Sequence, residues 1–178
     1  YGKANYTDLP YIYTGGFSDI SIINAARNKN GEFICSMIPD VYSAIALASI
    51  VDRYVMINEP VTVMGVSSHS TGASNFGASK SQEAAQIFYS ESNIPFHSRL
   101  GSERVKSIRI IIYECYLQSL HLHNDALKIN MLDQLRLAMA QSNRDYSNEL
   151  LYYCRNVASK NGIDMKLIND GGMKQKLI

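Results

Sequence analysis

The strongest candidate for chemistry is a carboxylate that follows a proline. In residues 38–43 (IPDVYS), proline before an apolar stretch predicts a helix whose first turn contains Asp40. Free backbone N–H groups and the helix dipole favour the ionised form of an acid at that place. Asp40 is therefore predicted either to cap the helix or to act as a positioned base, and the local sequence favours the cap.

A second candidate is a loop dense in hydroxyl groups, residues 65–74 (GVSSHSTGAS), called here the hydroxyl-rich loop. It places Ser67, Ser68, Ser70 and His69 between glycines. Their hydroxyl and backbone N–H groups suit a phosphate, and His69 is available as a donor or a metal ligand. The spacing of a P-loop is missing, so this stretch by itself favours a plain loop.

Two other groups of reactive side chains are interpreted as structural. His121 and His123 have no second cluster to complete a zinc site, and the end of a helix explains them. The three cysteines, Cys35, Cys115 and Cys154, are widely spaced among apolar or aromatic neighbours. This pattern predicts reduced core residues in a cytoplasmic protein.

The secondary structure predicted to position these residues differs between the two parts of the chain. Before Gly77, β-branched and aromatic runs predict extended segments, and Asp19 and Pro39 predict two helix starts. After it, apolar residues at helical spacing predict helices. The predicted extended segments are 10–17, 32–38 and 53–66. Helices are predicted over 79–89 and 102–122, the second with a single apolar face, and one or two further helices over 130–160, with Gly162 suited to end the last.

Composition limits the class of protein. The chain has 178 residues, of which 46% are apolar and 19% charged, so a single globular domain is the first expectation. Lys and Arg number 17 against 16 Asp and Glu, which argues against nucleic-acid binding by bulk charge. No apolar run approaches the roughly 20 residues that cross a bilayer, and nothing near Tyr1 resembles a signal peptide.

The order of several motifs within residues 10–97 is a further observation. YTGG at 13–16 is followed by PDVYS at 39–43, DRY at 52–54, EP at 59–60 and then the hydroxyl-rich loop. In this order they resemble the acceptor half of bacterial family 2 glycosyltransferases. The resemblance implies an α/β (α+β) fold, with a GT-A-like acceptor portion over 1–100 and a mostly helical C-terminal region over 101–178.

The resemblance also implies an activity and its residues. Inverting members transfer a sugar from a nucleotide-sugar donor to a saccharide or lipid-linked acceptor hydroxyl, and Asp40 matches their general base. Further residues are implied at the substrates: Tyr13, Thr14, Gly15 and Gly16 on the acceptor side, and Ser67, Ser68, Ser70 and His69 at the diphosphate or its metal.

A divalent metal, Mn²⁺ or Mg²⁺, is implied to hold the diphosphate. The chain contains no Asp-x-Asp motif, and no opening βαβ pattern precedes Tyr11. We therefore expect the metal ligands and the donor-binding half to lie upstream of Tyr1, and we expect the 178 residues alone not to turn over a sugar nucleotide.

The alternative is a non-catalytic α/β-helical module that mediates interaction or oligomerisation through its tyrosine-rich surface and helical tail. Under either hypothesis a homo-oligomer is left open. Lys and Arg are scattered over residues 99–109 without forming a dense basic face. Peripheral contact with the inner membrane is therefore a weak hypothesis beside a cytoplasmic location.

Overall fold

The computed structural model describes residues 6–12, 15–59, 62–63, 65, 87–88, 90, 94–103, 105–123, 129–142 and 147–168. Over these residues the backbone is helical or irregular, and it contains no strand. The α/β fold with a GT-A-like acceptor half is therefore wrong for the part of the chain that the structure describes. That part is built from packed helices joined by irregular segments.

Five α-helices have bounds within the described residues. They are α1 (Ile20–Ala25), α2 (Pro39–Ile50), α3 (Ile108–Gln118), α4 (Met131–Ala140) and α5 (Ser147–Lys160). Short 3₁₀ turns accompany them at Tyr6–Asp8, Ser98–Leu100, Leu120–Leu122 and Met165–Leu167. None of these helices is both long enough and apolar enough to cross a bilayer.

The predicted strands fail for a physical reason that residues 53–58 illustrate. This segment is not helical, but it forms no ladder with another described segment. Its apolar side chains lie in solvent, and Val55 is 88% exposed. Because a strand is stabilised by cross-strand pairs and by a covered face, β-branched and aromatic residues alone do not make one. The described parts of residues 10–17 and 32–38 are irregular in the same way.

The helix boundaries follow local signals, as predicted. The Asp19 carboxylate accepts a hydrogen bond of 2.8 Å from the N–H two residues later and caps α1. Pro39 occupies the start of α2. After α5, Gly162 has φ of 69°, and the N–H of Ile163 donates to the carbonyl of Ala158 at 2.8 Å. This is a Schellman-type end, which requires a residue that tolerates positive φ.

Helix α3 is the centre of the packing. It contacts α2 on one side and α4 on the other, while α1 packs on α2 and α5 on α4. The sequence predicted a helix over 102–122 with a single inward face. Instead, α3 starts only after Ser107, whose hydroxyl accepts from the N–H of Ile110. Side chains around most of its circumference are buried: Ile110, Ile111, Tyr113, Glu114, Cys115, Tyr116 and Leu117.

The remaining helix predictions have mixed outcomes. The stretch 130–160 forms α4 and α5, which confirms the prediction of one or two helices there. Most of the stretch 79–89 lies outside the described residues. Two hydrophobic clusters fill the interior: one joins α3, α4 and α5, and the other joins α2 to Cys115 of α3. The second cluster is the one that positions the candidate site.

Candidate functional site

Asp40 lies in the first turn of α2, as the sequence predicts. The residue in the N-cap position is Ile38, and its side chain makes no capping hydrogen bond. The carboxylate of Asp40 accepts no hydrogen bond from any other residue that the structure describes. Asp40 therefore does not act as the cap that the local sequence favoured, and its half-buried carboxylate sits at the positive end of the helix dipole.

The 3₁₀ turn at the front of the chain brings Tyr6 within electrostatic range of Asp40. The 3₁₀ turn Tyr6–Asp8 packs on α2, and the Tyr6 ring covers the cluster formed by α2 and Cys115. The pKa of the Tyr6 hydroxyl is raised, first by burial, then by the negative charge of Asp40, and then by Tyr11. The sequence analysis did not single out either tyrosine, because nothing local indicates that this turn folds back onto α2.

The paired glycines have a backbone role that the structure makes visible. A Cβ at Gly16 would lie 1.8 Å from the carbonyl oxygen of Tyr11, so no side chain fits there. A Cβ at Gly15 would lie 3.0 Å from the Thr62 hydroxyl oxygen. The backbone at Gly16 therefore lies against the Tyr11 carbonyl, an approach that only glycine permits. Whether the two glycines contact an acceptor stays a prediction.

Several predicted site residues lie outside the described residues, so their roles stay predictions. They are Tyr13, Thr14, Ser67, Ser68, His69 and Ser70. Where the structure does describe the chain, no three His, Cys, Asp or Glu side chains form a group that could hold a metal ion. The divalent metal that the resemblance implies therefore stays a prediction.

The histidines after α3 are explained by packing. The His123 ring lies 2.8 Å from the Ser119 hydroxyl, and its centroid is 4.8 Å from that of Tyr116. Burial lowers the pKa of His123, and the neighbouring His121 adds to the shift. Cys115 and Cys154 are buried, as predicted for core residues, whereas Cys35 is only half-buried; none of the three is in a disulfide among the described residues.

A buried carboxylate that the sequence analysis missed lies near the start of α2. Glu114 of α3 is only 1% exposed. Its carboxylate accepts hydrogen bonds from the Ser36 hydroxyl at 2.5 Å, the Gln118 amide at 2.8 Å and the backbone N–H of His97 at 3.3 Å. Burial raises the pKa of Glu114, against the smaller opposing effect of these donors.

A small cleft opens beside this carboxylate. It has room for about one water molecule. Its lining consists of Ser36, Met37, Ile38, Phe96, Val105, Ile111 and Glu114. The signal in the sequence was an acid inside the apolar run IIIYECYL, which indicates a buried acid but does not identify its partners.

Comparison with protein-family models, with curated proteins and with solved structures finds no match for this chain. Two features of the chain itself therefore bear on its function. One is the order of the sequence motifs, and the other is the geometry around Asp40.

Proposed function

We propose that this chain provides the acceptor side of an inverting glycosyltransferase, with Asp40 as its general base. The observation that carries the proposal is the Asp40 carboxylate, which stands in the first turn of α2 without serving as the cap. The order of the motifs around it supports the same assignment. The substrates would be a nucleotide-sugar donor and a saccharide or glycolipid acceptor.

In this reaction Asp40 needs only the right position and a negative charge. An acceptor hydroxyl is a weak nucleophile at neutral pH, and a carboxylate within hydrogen-bond reach removes its proton as it attacks. The hydroxyl oxygen forms the new bond to the anomeric carbon, and the nucleoside diphosphate leaves with the electron pair of the broken bond. The carboxylate form of Asp40 is the one that accepts this proton.

Neighbouring residues suit the acceptor. Asp40 and Tyr11 are both close enough to Tyr6 to raise the pKa of its hydroxyl. Tyrosine rings combine an apolar face, which packs on a sugar ring, with a hydroxyl that forms hydrogen bonds. We place the enzyme in the cytoplasm, in line with its free thiols.

The test is transfer activity of the complete natural protein, assayed with sugar nucleotides and with both Mg²⁺ and Mn²⁺ supplied. Asp40→Asn should lower kcat by about 10²- to 10⁴-fold, the usual contribution of a general base. Binding of the donor, measured by calorimetry, should stay unchanged because Asp40 acts on the acceptor.

Asp133→Asn is the matched control, since Asp133 also lies in the first turn of a helix, α4, but is exposed. It should leave kcat unchanged. Full activity of Asp40→Asn, or an equal loss in both variants, would refute the assignment of the base.

A second candidate function is an oligomerisation module, which exposed apolar side chains favour. Large apolar residues near the front of the chain are more than half exposed: Phe17, Ile20, Val55, Met56, Ile57 and Val63. Exposed apolar groups of this kind occur at protein interfaces. Light scattering after size-exclusion chromatography distinguishes the module from the enzyme. The module should form a concentration-dependent oligomer and show no transfer activity. The double variant Val55→Ser, Ile57→Ser should dissociate that oligomer.

A further inference from the structure

We propose that Ser36 and Glu114 are positioning residues for Asp40. The inference rests on the proposed function, in which Asp40 is the base. Ser36 lies four residues before Asp40 in the chain, and Glu114 lies in the middle of α3. The hydrogen bond between them anchors the segment that leads into α2, and through it the first turn that carries Asp40.

The Glu114 end of this anchor is itself held in place. Both carboxylate oxygens are engaged: one accepts from the Ser36 hydroxyl, and the other accepts from the Gln118 amide and the His97 backbone N–H. Ser36 and Glu114 are each only 1% exposed. Because hydrogen bonds to a carboxylate are short and directional, they define a position more sharply than apolar contacts, which are non-directional.

The next residue of α3 touches the next part of the same segment. The Cys115 sulfur lies 3.3 Å from the Ser36 hydroxyl oxygen and 4.0 Å from the carbonyl oxygen of Ile38. That carbonyl also accepts the first hydrogen bond of α2, from the N–H of Tyr42 at 2.9 Å. Glu114 and Cys115, two successive residues of α3, thus contact Ser36 and Ile38, which lie just before Asp40 in the chain.

Apolar packing of α2 on α3 acts beside these polar contacts. Val41, Tyr42 and Ala46 pack around Cys115 and fix the axis of α2. The Asp40 carboxylate itself makes no hydrogen bond to the described residues. Its position toward an acceptor therefore depends on how the backbone of residues 36–40 is held.

The experiment compares two variants that each delete one buried hydroxyl. Ser36→Ala removes the anchor. Tyr153→Phe is the matched control, because the Tyr153 hydroxyl, on α5, donates to the carbonyl of Leu100 at 3.1 Å and not to the segment before α2. In the complete protein, Ser36→Ala should lower kcat about tenfold, since displacement of a catalytic group by a fraction of an ångström carries such a cost. The KM for the donor should stay unchanged, and Tyr153→Phe should keep the wild-type kcat.

Glu114→Gln tests whether the hydrogen bond or the charge matters. The glutamine oxygen can accept from Gln118 and His97, and its amide can donate to Ser36. This variant should therefore retain kcat within about twofold, as expected when the contact and not the charge is needed. A loss equal to that of Ser36→Ala would refute positioning through the hydrogen bond.

Hydrogen exchange by NMR gives a readout that does not need activity. In Ser36→Ala the Tyr42 N–H should exchange several-fold faster than in Tyr153→Phe, because the first turn of α2 is no longer anchored. Equal exchange rates and equal kcat values in these two variants would overturn the inference. If Asp40→Asn still loses activity in that case, the proposed function stands and only the positioning role fails.

Discussion

The Ser36 hydroxyl donates a hydrogen bond of 2.5 Å to the Glu114 carboxylate, joining residues 78 positions apart in the sequence. The contact ties the segment before α2 to the middle of α3. Burial raises the pKa of Glu114, against the opposing effect of this hydrogen bond, so ionisation of Glu114 links stability to pH.

Stability should therefore fall as pH rises from about the ordinary glutamate value of 4.5 toward neutrality. The sign follows because the folded state holds the Glu114 proton to a higher pH than the unfolded state, which ionises first and is stabilised. Glu114→Gln removes that titration. Urea unfolding from pH 4 to pH 8 should show the wild type losing stability relative to Glu114→Gln, and parallel curves would contradict the raised pKa.

Removing the Tyr42 hydroxyl should stabilise the protein. This hydroxyl is buried and makes no hydrogen bond of normal geometry to the described residues; burial raises its pKa well above the ordinary value, and the nearby Cys35 thiol adds to the shift. Tyr42→Phe removes an unsatisfied polar group, so the free energy of unfolding should rise by about 1 kcal/mol. Tyr153→Phe, which deletes a hydroxyl that is bonded, should lower it by a similar amount. Urea unfolding measures both, and changes of the same sign would count against the structure.

Gly16 should not tolerate a side chain. An alanine Cβ would meet the Tyr11 carbonyl oxygen at 1.8 Å, so the backbone must move. We expect Gly16→Ala to cost about 1–3 kcal/mol, as other overpacking substitutions do. Gly65→Ala is the control, since a Cβ there meets nothing within 4 Å. Thermal unfolding compares the two, and equal melting temperatures would contradict the close approach of Gly16 to the Tyr11 carbonyl.

The three thiols should differ in reactivity. Cys35 is half-buried, whereas burial raises the pKa of Cys115 well above its ordinary value and that of Cys154 to about 12. Because the thiolate is the reactive form, a thiol reagent at pH 8 should modify Cys35 first in the native protein. Mass spectrometry of the labelled peptides identifies the sites. In denaturant all three should react alike, and rapid native labelling of Cys154 would contradict its burial.

Helix ends could be predicted because their signals are local. The cap at Asp19, the start at Pro39 and the end at Gly162 each depend on residues within one turn of the backbone. Strands could not be predicted in this way. A residue such as Val55 forms a strand only beside a partner segment, and the local sequence does not identify that segment. The same limit explains why the α/β prediction is wrong for the described chain.

For the candidate site, the sequence by itself determined that Asp40 stands at a helix start, because Pro39 before an apolar stretch specifies that position. Only the tertiary structure decided that its carboxylate does not serve as the cap and that Tyr6 lies within electrostatic range of it. The same holds for Glu114. An acid among isoleucines indicates burial, but only the packing of α2 on α3 brings Ser36 to it as a partner. Contacts between distant segments depend on how whole helices pack, which no stretch of sequence encodes alone.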